Sequence, residues 1–241
     1  MTSKIKKFVQ PWNHGLVDDF LDQEDFDQVL QYAEEHQSKI EIPLRTCVKY
    51  NWFFDHLGNY IKLRIVDETS RRPNWLPSDS PRWPIEFGEN MARKYYKDIL
   101  SFREQLGYKS ITHFNPMFTM TLSYFHKNFN YHRSHTDGVW KLFSSTLYVS
   151  PEKNLGTTMT SDRYSEDYLT VPWRQNRLHC FVRDLENTWH NFKADGESDR
   201  VTINFCLRPT EFWNWGESSP HGIKSVPADD TVNQYFEKND D

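Results

Sequence analysis

Residues 200–209 read RVTINFCLRP. The run is dense in β-branched and aromatic side chains, the types that fit a pleated, half-buried surface. Three stretches upstream share its composition: NRLHCFV at 176–182, KLFSSTLYVS at 141–150 and MFTMTLSYF at 117–125. Gly138, Pro151, Gly156, Pro172 and Gly196 punctuate the intervals between them. Short strands at turn-punctuated spacing from about 111 to 209 predict an antiparallel sandwich, jelly roll or barrel.

Upstream of this block the chain reads as mainly helical and irregular. In DQEDFDQVLQYAEEHQ (22–37), Phe26, Val29, Leu30 and Ala33 recur at helical spacing on one face. Asp22 and Asp25 suit the first turn as N-cap and dipole partner. A second helix is expected over 89–106, with Met91, Tyr95, Ile99, Phe102 and Leu106 inward and Gly107 ending it. RRPNWLPSDSPRWP (71–84), with four prolines, is expected to be neither helix nor central strand, but a packed loop or a lid. The last thirty residues read as a mobile tail, and Trp213 and Trp215 could close one end of the barrel. The expectation is one domain of mainly β, α+β class: a helical support region over 1–110, a β core over 111–210 and an extension over 211–241.

Aromatic residues are abundant, with 17 Phe, 12 Tyr and 9 Trp, so the core can be built from rings that bury large area with few rotatable bonds. A net charge of −5 gives no electrostatic argument for a nucleic-acid partner. The opening MTSKIKK is followed by FVQPWNHG, not an apolar run, so neither a secretory signal nor a membrane partner is expected. Cys47, Cys180 and Cys206 lack Cys-x-x-Cys spacing and read as free thiols in a reducing cytoplasm.

The chemistry is sought in YHRSHTDGVW at 131–140, which holds His135-Thr136-Asp137. One such triplet is about what chance gives with 10 His and 34 acidic residues, so its context must decide. On a strand, residues i and i+2 share a face, so His135 and Asp137 could offer an imidazole and a carboxylate to one metal. His190, in ENTWHNFKADGESDRVTINF (186–205), supplies a third ligand just before a strong strand. Two His and a carboxylate on one side of an ion leave the other positions open, as in non-haem Fe(II) oxygenases. Arg200, ten residues on, would be a buried charge in need of an anion. A dicarboxylate fits: one end would chelate the metal and the other would pair with Arg200, with a hydrogen bond from Thr202 on the same face.

These residues carry a resemblance. His135-x-Asp137, then RQNRLHCFVRD (174–184) leading to His190, then Arg200-x-Thr202 and INFCLRP resemble the 2-oxoglutarate- and Fe(II)-dependent dioxygenases, prolyl 4-hydroxylase-like group. VDDFLDQEDFDQVLQYA (17–33) is similar to that group's opening, a short strand followed by a helix. The match covers about 115–209 well and hardly touches 40–110. It implies a double-stranded β-helix, or jelly roll, with N-terminal helices packed on it. It also implies Fe(II) on His135, Asp137 and His190, 2-oxoglutarate as cosubstrate on Arg200 and Thr202, and O2 as oxidant. Tyr124 corresponds to a tyrosine that contacts 2-oxoglutarate in some members, although the following loop differs in length. The implied reaction is hydroxylation of a C–H bond, with 2-oxoglutarate leaving as succinate and CO2 and no catalytic side chain beyond the metal ligands.

The expected substrate is a small molecule such as a free amino-acid derivative, and the alternative is a prolyl or other residue of a polypeptide. His132, Arg133 and Trp140 flank the ligands as candidate substrate contacts. Two readings of other classes remain: a cupin-like metal enzyme without cosubstrate, against which Arg200 and Thr202 argue, and a non-catalytic jelly-roll binding domain, against which the intact ligand set argues. Arg200 could instead pair with Asp195, Glu197 or Asp199 at the surface. His126 and His179 read as satisfied structural histidines.

Overall fold

The computed structural model describes residues 5–37, 47–67, 73–75, 83–129, 134–138, 141–184 and 186–209. In chain order the elements are β1 (Lys6–Phe8), β2 (His14–Val17), α1 (Gln23–Gln37), β3 (Cys47–Phe54), β4 (Tyr60–Asp67), β5 (Pro73–Trp75) and α2 (Trp83–Gln105). There follow β6 (Met117–Phe125), β7 (Phe143–Ser150), β8 (Thr157–Thr160), β9 (Tyr168–Val171), β10 (Leu178–Phe181), β11 (Trp189–Phe192) and β12 (Arg200–Arg208). Nine strands form one sheet in the order β1-β2-β10-β7-β12-β6-β3-β4-β5, and β11-β8-β9 form a second. Every pairing in both is antiparallel. The architecture is a mainly β, jelly-roll sandwich with two helices against the larger sheet.

Strand β12 shows why. Val201, Ile203, Phe205 and Leu207 turn to one face and join Leu122 of β6, Leu147 of β7 and Leu178 of β10 in the main core. Phe26, Val29 and Ala33 of α1 and Met91, Tyr95, Ile99 and Phe102 of α2 close over them. Each large apolar side chain so buried contributes roughly 1.5–3 kcal/mol, which holds the helices to the sheet. The alternate residues Arg200, Thr202, Asn204, Cys206 and Arg208 line a cavity on the other face, to which β8 and β11 of the smaller sheet also contribute. A sheet with helices on one side and a polar hollow on the other follows from this two-residue alternation.

Four strands fall where expected, trimmed by at most two residues at an end: β6, β7, β10 and β12. The short strand and helix of the opening are also present, and Asp22 directly precedes α1. Its carboxylate and that of Asp25 hold Lys94 of α2 at 2.7 and 2.5 Å.

The region before residue 110 departs from the expectation of helix and irregular chain. CVKYNWFF and YIKLRIVD form the hairpin β3–β4, which adds to the larger sheet through β3–β6 pairing. Its turn is built by Asp55, whose Oδ1 accepts the N–H groups of Leu57 and Asn59, and by Gly58 at φ +82. Runs rich in β-branched and aromatic residues on either side of a glycine turn are hairpin chemistry.

Helix α2 starts six residues ahead of the expected 89, at Trp83, because Pro84 lies in the first turn, where a missing N–H breaks no helical bond. Of the 71–84 segment, Pro73–Trp75 is the last strand of the order above, so it is an edge strand and not a central one. Residues 76–82 lie outside the described residues, as do the tail, Trp213 and Trp215. All three cysteines are buried free thiols. Among the described residues no helix is long and apolar enough to cross a membrane.

Candidate metal centre

His135 belongs to no named strand, yet it forms an antiparallel bridge with His190 of β11. The His135 N–H donates to the His190 carbonyl at 3.1 Å, and the His190 N–H donates back at 2.9 Å. Residues paired in this way present their side chains on one face. The two imidazole centroids are 4.5 Å apart. Asp137, two residues on and 8% exposed, brings its carboxylate to the same place. One ligand atom from each of His135, Asp137 and His190 lies within 4.8 Å of the others. The cross-strand bridge aligns His135 with His190, and no strand runs through 135–137 to relate Asp137 to His135.

The donor set is prepared electrostatically. His190 Nδ1 lies 3.0 Å from the Thr188 carbonyl, which makes it the N–H and leaves Nε2 as the free lone pair. Burial pushes the His190 pKa down, with Asp137 opposing in part, so the ring is a neutral ligand. Burial opposes ionisation of Asp137, but Lys141 and His190 outweigh it and hold the carboxyl below the usual carboxylate range. Lys141 Nζ stands 2.6 Å from Asp137 Oδ1, which leaves the second oxygen for another cation. Burial would lower the Lys141 pKa, and the Asp137 carboxylate raises it above its ordinary value. Two neutral imidazoles and a carboxylate with a spare oxygen fit a divalent metal such as Fe(II).

Arg200 is not a surface salt bridge. It is 2% exposed, and Nη1 donates to the Leu155 carbonyl at 3.1 Å. Its Nε has no partner among the described residues. The guanidinium lies against the rings of Phe192, Trp173 and Tyr148, with 4.2, 4.8 and 5.6 Å to their centroids. Burial pulls its pKa down to about 10, so it remains a cation at neutral pH. Asp199 is occupied elsewhere, accepting from the Lys127 N–H at 2.7 Å. Thr202, also 2% exposed, lines the same cavity. A buried cation in an aromatic cage beside a hydroxyl is chemically suited to a carboxylate.

Tyr124 does not face the cavity, contrary to what the resemblance implies. In the β6–β12 register Arg200 stands opposite Phe125, and Tyr124 stands opposite Val201. Thr121, Ser123 and Phe125 therefore face the cavity, while Tyr124 points into the helix-side core with Tyr50 against its ring edge. A hydrogen bond from Tyr124 to a ligand beside Arg200 would have to cross the sheet. His132, Arg133 and Trp140 lie outside the described residues.

Two further side chains stand at the site. Lys141 stands four residues after Asp137, in no repeating pattern that marks it. His179, read as a satisfied structural histidine, is fully buried, lines the cavity and has no hydrogen-bond partner for either ring nitrogen among the described residues. The signal for it was present: in LHCF, Leu178 and Cys180 join the main core, so His179 and Phe181 must face the hollow.

No family model and no curated protein matches the sequence. Solved structures do match. JOX2 in complex with 2OG, Fe and JA aligns with TM-score 0.53 and 12% identity over 90% of this chain and 71% of that one. Dioxygenase for auxin oxidation 1 from Arabidopsis thaliana, in a 2-oxoglutarate complex, aligns with TM-score 0.52 and 10% identity over 83% and 85%. A prolyl 4-hydroxylase from Phytophthora capsici aligns with TM-score 0.51 and 10% identity over 92% and 66%. The fold is thus the one found in these 2-oxoglutarate- and Fe(II)-dependent oxygenases.

Proposed function

We propose that this chain is a 2-oxoglutarate- and Fe(II)-dependent oxygenase that hydroxylates a C–H bond of a small molecule such as a free amino-acid derivative. One observation carries the reading: the His135, Asp137, His190 cluster and the caged Arg200 open onto one cavity of about 260 Å³. Metal ligands alone would serve a cupin-like reaction equally well. A buried cation without an anion on the wall of the same hollow favours a cosubstrate with a distal carboxylate.

In this reading His135, Asp137 and His190 hold the iron, and Lys141 fixes the Asp137 carboxylate through one oxygen. Arg200 takes the far carboxylate of 2-oxoglutarate, and Thr202 adds a hydrogen bond. The bound iron supplies the activation of O2 that 2-oxoglutarate drives on its way to succinate and CO2. Trp173, Tyr148 and Phe192 keep water from the Arg200 pair, which strengthens it. The three buried free thiols suit a reducing compartment, and we assign the protein to the cytoplasm on that ground.

The test is oxygen uptake with succinate measurement across a panel of free amino acids, their derivatives and proline-containing peptides. Turnover above background with the small molecules supports the assignment. Turnover confined to peptides would move the substrate to a polypeptide.

A further inference from the structure

The register aligns five side chains across the floor of the cavity. His179 of β10 stands opposite Thr146 of β7, Thr146 opposite Asn204 of β12, Asn204 opposite Thr121 of β6, and Thr121 opposite Asn51 of β3. Thr121 and Asn51 satisfy one another at 2.7 Å. At the other end of the row His179 has rings for neighbours: His14 and Phe181, each with a centroid 5.5 Å away, and Trp12 at 6.2 Å. A fully buried imidazole with neither nitrogen bonded is costly, and a polar ligand in the cavity it lines is one way to satisfy it.

Its place along the strands identifies that ligand. One inward step in one direction is Phe181, opposite Ser144, with its ring 5.0 Å from that of His190. One inward step in the other direction along β7 is Tyr148, whose ring lies under the Arg200 guanidinium. Inward neighbours on a strand are about 6.6 Å apart, so the His179–Thr146 pair lies midway between the metal cluster and Arg200. A dicarboxylate that bridges the two passes over it.

We propose that His179 is a positioning residue for 2-oxoglutarate, donating a ring N–H to one of its oxygens from the cavity floor; the inference rests on the function proposed above. Burial among the rings of Trp12, His14 and Phe181 favours the neutral imidazole, with one N–H donor and one acceptor. Every polar atom of 2-oxoglutarate is an acceptor, in the 1-carboxylate, 2-oxo and 5-carboxylate groups with methylenes between, so the N–H is the half of the imidazole that it satisfies. A neutral donor that reaches the 2-oxo or a carboxylate oxygen from beside the middle of the ligand fixes its rotation about the axis that its two charged ends define.

The experiment uses protein loaded with Zn(II) as a diamagnetic stand-in and labelled with 15N in its histidine rings. The His179→Gln spectrum assigns the His179 signals by their absence. Adding 2-oxoglutarate to the wild type should shift one His179 ring nitrogen. His179→Leu should weaken 2-oxoglutarate binding at least tenfold with metal affinity unchanged, and His179→Gln, which keeps a donor, should stay within threefold of wild type. Wild-type binding with unmoved His179 signals, or undiminished binding by a folded His179→Leu, overturns the inference and leaves the proposed function standing. No binding by metal-loaded wild type would remove both. If His179→Leu fails to fold, the wild-type ring signals decide.

Discussion

His135 and His190 are cross-strand partners, joined by two backbone hydrogen bonds of 3.1 and 2.9 Å with their rings 4.5 Å apart. The pairing is made by main-chain atoms, so it does not depend on either imidazole. His135→Ala should therefore keep the fold while losing the ligand. Calorimetric titration with Co(II) is expected to show at least tenfold weaker binding, with the melting temperature of the metal-free protein within a few degrees of wild type. Metal affinity equal to wild type would remove His135 from the site.

Arg200→Met should separate stability from function. A buried ion without its partner opposes folding, and an apolar side chain of similar length in the aromatic cage does not. The metal-free variant is expected to melt at the wild-type temperature or above it. The lost charge-assisted pair is worth about 1.5–3 kcal/mol, so half-saturation by 2-oxoglutarate should rise at least tenfold. Succinate formation followed against 2-oxoglutarate concentration checks this, and an unchanged half-saturation point would free Arg200 from that role.

The link between Lys141 and Asp137 gives a rescue experiment. Lys141→Met strands the Asp137 carboxylate, and breaking a buried pair from one side costs about 3–5 kcal/mol. A divalent ion on Asp137 supplies the missing positive charge. Co(II) should thus raise the melting temperature of the variant by more than it raises that of wild type. Equal shifts would mean that the ion and Asp137 do not meet.

Asp18 offers a pH test remote from the site. The Arg177 guanidinium at 2.5 Å, helped by Arg174, holds its carboxyl below the ordinary 3.8, with burial opposing. A depressed carboxylate contributes stability above its unfolded value and loses it as pH falls through the folded one. The pair is two-fifths exposed on the Asp18 side, so solvent screening limits it to about 0.5 kcal/mol. Asp18→Asn should be less stable than wild type by that amount in urea melts at pH 7, and the gap should narrow as pH drops below 3.8. A gap independent of pH would assign the effect to packing.

What the sequence made legible was local. Strands β6, β7 and β12 announce themselves by composition, the four-residue β10 by the longer run NRLHCFV around it, and the ligand residues by their order along the chain. What stayed hidden depends on pairing between distant segments. Strands β8, β9 and β11 have four residues each, too few to carry a periodic signal, and they gain their form from one another. The β3–β4 hairpin was readable from its turn, but its place beside β6 was not. Tyr124 was misplaced for a related reason: which residues of β6 face the cavity is set by the register with β12, where Arg200 meets Phe125 and not Tyr124. The cage around Arg200 draws Tyr148, Trp173 and Phe192 from three separate stretches. No short sequence pattern contains it.

In the proposed function one metal and one dicarboxylate share one hollow, with the dicarboxylate chelating the metal. Calorimetric titration of 2-oxoglutarate into Mn(II)-loaded protein, and into the same protein stripped with EDTA, tests that directly. One equivalent should bind per chain to the loaded form, and at least a hundredfold more weakly to the stripped form. Equal binding to both forms, or none to the loaded form, would contradict it.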